Sequence, residues 1–410
     1  MKCRACNKKK LSEFIDLGFS PPSNSYLKKK TDIKNEKNYP LKTFYCTHCF
    51  FVQTQDFLNS KTFFNKSYAY FSGYSKTYVK HCINYKKKIV KNYNLNPLND
   101  IIYEIASNDG TLLKNFYFDK FRCVGIEPST STAKVSEKIG IKNVKDFFGL
   151  KLSKKVKKKY GKAKLIIANN VLAHVPNIND FLKGHYNLLR NDGLITFEFP
   201  HLLNLLKYNQ FDTIYHEHYS YLSIIALKKL LNKNNLKIFK IEKLKNIHGG
   251  SLRVYVSKKN NFFKIEKSVQ NLINEEIDFG LKKNETYKNF NNKIKEISDY
   301  FFQFLIKNKL KNKKIYGYGA AAKANTFLNY LKIDKKLIDG IFDLNKEKIN
   351  TFLPGSHIKV YDAKKIKQHN PNIIIIFAWN LKDEILTQLK RNLKSKVKFV
   401  IAIPKLKIYE

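Results

Sequence analysis

The sequence predicts an α/β protein: a small metal-stapled N-terminal domain followed by two Rossmann-like units. Three observations carry the prediction. Short apolar runs of strand length alternate with amphipathic stretches, first from about residue 100 and again from about residue 314, and repeated strand–helix units build a parallel sheet covered on both faces. In each unit an early strand runs into a tight turn, Glu104–Gly110 in one and Gly317–Lys323 in the other. Two Cys-x-x-Cys pairs, Cys3/Cys6 and Cys46/Cys49, bracket a short, polar, loop-rich segment.

Taken in order, residues 1–60 form the N-terminal domain, with Pro21–Ser25 marking an irregular stretch. So short a segment builds little core unaided, and a metal staple compensates. Tetrahedral zinc takes four soft ligands about 2.3 Å away, and each Cys-x-x-Cys turn offers two thiolates on one side of the ion. Four cysteines leave no open position, so the zinc is expected to be structural. His48 is an alternative ligand, and a redox pair is the alternative to zinc altogether. Cys82 and Cys123 lack knuckle spacing and read as buried apolar side chains.

Residues 61–260 make the first α/β unit. Ile101–Ala106, Cys123–Glu127, Leu165–Asn169 and Leu194–Phe199 read as its strands, the last ended by Pro200, and Gly110 opens a helix. Residues 261–310 change character. Val269, Leu272, Ile273, Ile277 and Leu281 follow a helical period, as do Phe290, Ile294, Ile297, Phe301, Phe304 and Leu305, so two connecting helices are predicted. Residues 311–410 return to strand–helix alternation, with Ile338–Asp343 and Ile373–Phe377 as buried strands.

Charge narrows the function classes. The 410 residues carry a formal net charge of +44, which by itself points to nucleic acid or an anionic membrane surface. Yet only five of the 77 basic residues are arginine, and the lysines are scattered along the chain. A nucleic-acid surface recruits arginine for its bidentate fork. Lysine, with abundant Asn, Ile, Phe and Tyr, instead reflects AT-rich codons. No nucleic-acid partner is therefore expected, although a positive field favours an anionic small ligand. Nor is membrane insertion: the longest strongly apolar run, Ile373–Trp379, is far short of the ~20 residues a span needs. Met1–Cys6 has no signal-peptide core. A reducing, cytoplasmic setting without disulfides is the expectation.

The turn Glu104–Gly110, with Ser107, Asn108 and Asp109 inside it, lets backbone amides approach a ligand in front of a helix N-terminus. Glu127 ends the next strand, where a carboxylate reaches ribose hydroxyls in a doubly wound fold. Asp146 and Phe147 follow a third strand, and Asn169 and Asn170 a fourth. Only Gly110 survives of the dinucleotide glycine pattern, which fits a cofactor without a pyrophosphate, S-adenosylmethionine.

Tyr215–Ser223 is the densest polar-aromatic cluster, with His216, Glu217 and His218 in succession. Imidazole takes a proton near neutral pH, a carboxylate sets its tautomer, and tyrosine hydroxyls stabilise an oxyanion. His174 follows the Asn169–Asn170 strand end into the same crevice.

These residues together resemble the nucleotide-sugar C-methyltransferases. The resemblance runs through the N-terminal cysteines, Glu104–Gly110, Gly125–Ser129, Ala168–Val175, Tyr215–Ser223 and His248–Arg253, in order over nearly the whole chain. It implies a zinc-binding domain, a methyltransferase domain and a Rossmann-like C-terminal domain. It also implies transfer of a methyl group from S-adenosylmethionine to carbon, at C-3 of a nucleotide-linked 4-keto-deoxysugar, through an enolate. Carried onto this sequence, His218 is the base, with Tyr215, Glu217, His174 and Tyr70 around it. Tyr68, His216, His248, Ser251 and Arg253 are then candidate sugar-nucleotide contacts. Two departures stand out: Ala106 replaces a glycine common in such turns, and His216 could exchange roles with His218.

Gly317-Tyr318-Gly319-Ala320-Ala321-Ala322 matches G-x-G-x-x-A, and Asp343 ends the next strand. Alone this suggests NAD. In the resembling family the domain is supportive, with Lys323 and Asn325 placed for a diphosphate. A zinc-knuckle nucleic-acid-binding protein, or a nucleic-acid methyltransferase, is the alternative reading of the whole chain.

Overall fold

The computed structural model describes residues 1–58, 60–63, 71–244, 249–393 and 397–410. It is an α/β protein with three sheets. The N-terminal sheet is antiparallel: β1 (Leu11–Ser20) pairs with β2 (Tyr39–Cys46), and β2 with β3 (Val52–Thr54). Its fourth strand comes from far along the chain. Ser220–Tyr221 pairs with β3, Val52 opposite Tyr221 and Gln53 opposite Ser220.

The seven-stranded central sheet holds β4 (Ile101–Ile105), β5 (Arg122–Ile126), β6 (Lys142–Val144), β7 (Ala163–Asn169) and β8 (Leu189–Pro200) as parallel neighbours. Ser220–Tyr221 is β9; β10 (Leu236–Leu244) and β11 (Ser251–Lys258) complete the central sheet, with β11 antiparallel to β8. The order is β10-β11-β8-β7-β4-β5-β6. The chain leaves β4 towards β5 and later returns to β4's other side with β7. Such a reversal opens a crevice at the carboxyl ends of the strands.

The predicted strands appear where their apolar runs are, within one to five residues at their ends. The predicted helix at Gly110 does not. Asn108 (φ 50°) and Gly110 (φ 77°) are left-handed, the chain turns through residues 108–113, and a five-residue helix starts only at Lys114. Left-handed residues interrupt a right-handed helix, which delays nucleation. Gly110 is required for packing as well, since a Cβ there would lie 2.7 Å from Ser136 Cβ.

The connecting segment forms two helices, Lys267–Phe279 and Asn284–Lys309. The second packs on the N-terminal sheet: Phe14 lies 5.4 Å from the Tyr287 ring and 5.2 Å from Phe290, and Tyr45 stacks on Tyr287 at 4.1 Å. Glu276 on the first is fully buried. It accepts from Ile224 N (2.6 Å), Ile225 N (2.8 Å) and His201 Nε2 (2.7 Å), and so caps the helix Ile224–Lys233 from outside.

The third sheet contains β12 (Ile315–Tyr318), β13 (Gly340–Asp343), β14 (Val360–Asp362), β15 (Ile373–Ile376), β16 (Lys398–Ile401) and β17 (Lys407–Tyr409), in the order β14-β13-β12-β15-β16-β17. One hydrophobic cluster runs through all three regions, from Cys3 and Phe14 through Phe197 and Phe301 to Ile403. Residues 22–27 cross between the N-terminal and third sheets as a strap. Asn325 Nδ2 donates to Ser23 O (2.5 Å), Tyr26 Oη donates to Ala320 O (2.6 Å), and Leu27 pairs with Phe352. Among the described residues, no helix is long and apolar enough to cross a membrane.

Candidate active site

The four thiols of Cys3, Cys6, Cys46 and Cys49 converge, all within 4.8 Å of one another. Cys3 Sγ lies 3.5 Å from Cys49 Sγ, and Cys6 Sγ 3.7 Å from Cys46 Sγ. Four sulfurs about 2.3 Å from a tetrahedral zinc stand about 3.8 Å apart, so the cage fits the ion. Each pair ends in the same turn. Asn7 N donates to Cys3 O and Phe50 N to Cys46 O, both at 2.8 Å, with Asn7 and Phe50 left-handed. His48 is exposed and outside the cluster.

The crevice between β4 and β7 gathers buried polar atoms without partners: Glu104 Oε2, both amide atoms of Asn169, and Asn170 Oδ1. Burial, then the Asp109 charge, pushes the Glu104 carboxyl well above its ordinary range. Unsatisfied donors and acceptors at a strand-end crevice are what a nucleoside bearing an amino-acid tail can satisfy. Glu127 is buried beside them, accepting from Asn108 N and Ser129 N, both at 2.8 Å. Ser107 Oγ faces Asn143 Oδ1 at 3.2 Å. Asn108 and Asp109 turn their side chains to another task. Asn108 Oδ1 accepts from Ser72 N (3.0 Å) and Asp109 Oδ2 from Gly73 N (2.9 Å), tying the segment after residue 70 onto the turn. Asp146 is exposed at the rim and Phe147 half-buried.

Two imidazoles meet at the Tyr215–Ser223 cluster. His174 and His218 lie edge-to-face with centroids 4.6 Å apart, and Tyr215 packs on His218 at 3.9 Å. His218 Nδ1 donates to Thr213 O and His174 Nδ1 to Glu217 O, both at 2.9 Å. A carbonyl accepts only, so each ring carries a proton on Nδ1. Burial pushes His174 down to about 4, which keeps it neutral. The strand β9 fixes the cluster to the N-terminal sheet, where Thr54 Oγ1 donates to His218 O (2.7 Å). Glu217 is 4% exposed, and burial pushes its carboxyl up to about 7.

Other expected contacts sit elsewhere. His216 turns away from His218, its Nε2 3.3 Å from Tyr39 O on the N-terminal sheet, so the two histidines do not share a position. Arg253 is buried in an ion cluster: it donates to Glu198 Oε2 (2.9 Å) and Glu242 Oε2 (3.4 Å), with His81 Nε2 3.0 Å away. Two carboxylates thus share its guanidinium, whose Nε has no partner among the described residues. Ser251 is buried at the start of β11. Gly249 and Gly250, both left-handed, fit between Trp379 and Asn204, where a Cβ would approach to 2.4 Å of each. Tyr68, Tyr70 and His248 lie outside the described residues.

In the third sheet, the G-x-G-x-x-A turn is occupied by the chain itself. Ala320 N donates to Asp343 Oδ2 (2.7 Å), while Tyr26 Oη and Lys348 Nζ (2.7 Å) both donate to Ala320 O. Lys323 Nζ points to Asn380 Oδ1 (2.9 Å) above the Trp379 ring, and burial lowers it to about 8. Trp379 Nε1 in turn donates to Asp212 Oδ2 (2.6 Å). Sequence reasoning missed Asn24, His81, Glu198 and Asp212. Each is a lone polar residue whose partner is distant in sequence, and no spacing rule announces it.

Comparison with known proteins gives three consecutive family matches. Residues 3–64 match a putative zinc binding domain, residues 84–241 a methyltransferase domain, and residues 246–404 a C-methyltransferase C-terminal domain. The chain is 26% identical over 403 residues to the C-methyltransferase NovU of Streptomyces niveus, covering 98% of this chain and 95% of that one. Among solved structures, magnesium protoporphyrin IX methyltransferase of Synechocystis PCC 6803 is similar over 44% of this chain and 84% of its own, with 12% identity and a TM-score of 0.36. A putative methyltransferase from Listeria monocytogenes is similar over 44% and 99%, with 10% identity and a TM-score of 0.34. Of the two readings the sequence leaves open, the family matches and NovU favour C-methylation over nucleic-acid binding.

Proposed function

The chain belongs to the S-adenosylmethionine-dependent C-methyltransferases with a zinc-binding N-terminal domain, and on that premise we propose that its acceptor is a nucleotide-activated 4-keto-deoxysugar methylated at C-3. S-adenosylmethionine supplies an electrophilic methyl group to the carbanion that the protein generates. Glu104, Glu127, Asn169 and Asn170 are the residues that would hold it, with Ser107 and the Gly110 turn beneath and Asp146 and Phe147 at the rim. The zinc is structural, held by Cys3, Cys6, Cys46 and Cys49.

The carrying observation is the pair of imidazoles, each with Nδ1 held on a backbone carbonyl. With Nδ1 of His218 fixed on Thr213 O, its Nε2 is the atom that accepts the C-3 proton, which the neighbouring ketone acidifies. Tyr215 packs against the ring, and His174 meets it edge to face. Tyrosine donors favour an enolate oxygen over a ketone; Tyr70 belongs to that role.

The test is incubation with labelled S-adenosylmethionine and a panel of nucleotide-linked 4-keto-deoxysugars. Methyl incorporation on carbon is expected, with C-3 hydrogen exchange that His218→Asn abolishes. Unimpaired exchange in that variant removes His218 as the base. Incorporation on oxygen, or on nucleic acid, overturns the acceptor class.

A further inference from the structure

The strap of residues 22–27 brings one side chain to the catalytic cluster from outside it. Asn24 Nδ2 donates to Glu217 Oε1 at 2.7 Å. Glu217 is buried while Asn24 is exposed. Its place is well determined. On one side Ser23 O accepts from Asn325, itself fully buried; on the other Tyr26 and Leu27 are tied to Ala320 and Phe352. The other charged and titratable groups facing Glu217 among the described residues are few. Lys348, after β13, favours the charged carboxylate; Tyr26 on the strap and Tyr219 feel its charge; His174 donates to its carbonyl. His216 and His218 flank it in sequence.

We propose that Asn24 is a positioning residue of the active site, whose amide orients the Glu217 carboxyl and favours its charged form one residue before His218. The proposal rests on the reading of Glu217 as part of the catalytic site. A carboxylate buried against the strap is opposed by desolvation, and a hydrogen bond to the charged form offsets it. The N-terminal domain thereby bears on proton transfer through a side chain as well as through β3, which holds His218 and β9.

The test is direct titration of Glu217 in the full chain labelled with 13C-carboxyl glutamate. Glu217→Gln identifies the resonance. Asn24→Ala should raise its midpoint by about one unit, tenfold in the ionisation constant, and Asn24→Asp by more because a second carboxylate is placed alongside. Asn24→Ser, which keeps a smaller donor, should fall between wild type and Asn24→Ala. In turnover, Asn24→Ala should lose kcat below pH 7 and regain it above the new midpoint, with KM nearly constant; a purely structural role lowers kcat at every pH. An unmoved midpoint in Asn24→Ala overturns the proposal. If Glu217→Gln retains full methyl transfer, the catalytic reading of Glu217 fails instead, and the titration still decides what Asn24 does to the carboxyl.

Discussion

Ala106 sits at φ 55°, in the left-handed region that favours glycine. The absence of a glycine there was visible in the sequence; the strain was not, because only the backbone shows it. Ala106→Gly should stabilise the protein by roughly 0.5–1 kcal/mol, the relief of strain less the added chain entropy. The urea midpoint should rise with an unchanged slope; a lower midpoint contradicts the strain argument. Arg253 carries the opposite lesson. Its motif marks a binding residue, yet it meets Glu198, His81 and Glu242, partners up to 172 residues away. Burial opposes the Glu198 charge, but His81 and Arg253 outweigh it and hold the carboxyl below its ordinary range. A depressed folded pKa contributes stability above the unfolded value, about 4, which is lost as pH falls through the folded one. Arg253→Met should therefore cost about 3 kcal/mol at neutral pH by leaving the buried Glu198 carboxylate with His81 as its remaining partner. Glu198→Gln should flatten the fall in stability expected as pH drops below about 4. Local spacing does reveal the four cysteines, because a knuckle is built from neighbours.

Periodic elements were legible for the same reason. The helices Lys267–Phe279 and Asn284–Lys309 follow from a 3.6-residue apolar period, and the central strands from their buried runs. A two-residue strand such as β9 has no period, and its place beside β3 is decided by tertiary pairing alone. Glu276 belongs to this scale. It serves a helix it is not part of, accepting from Ile224 N and Ile225 N. Glu276→Ala should cost about 3 kcal/mol, since several buried donors lose their acceptor. Amide exchange over Ile224–Lys233 should accelerate ahead of the central strands. Uniform acceleration throughout the sheet would show that the cap is not local to that helix.

At the scale of the whole molecule, the zinc cage and the proposed base share one sheet. β3 lies between β2, which ends at Cys46, and β9, which follows His218. Chelation of zinc should therefore abolish C-3 exchange as well as loosen residues 1–58, with one metal released per chain and four thiols becoming reactive. Retained exchange in the zinc-free protein would separate the cage from the site. The sequence showed three regions in order, but not that the first is wedged against the other two. That follows from contacts spanning nearly the whole chain, such as Ser23 with Asn325, 302 residues apart.

That span has a consequence during synthesis. Residues 22–27 leave the ribosome well before the segment that anchors them; at roughly 5–20 residues per second, the interval is about 15–60 s. The seven-stranded sheet is complete by residue 258 and can hold a cofactor within that time. Asn24 gains its fixed place only after residues 320–352 have emerged. An unfinished chain can thus bind the methyl donor before the strap reaches Glu217. The strap's contribution arrives last.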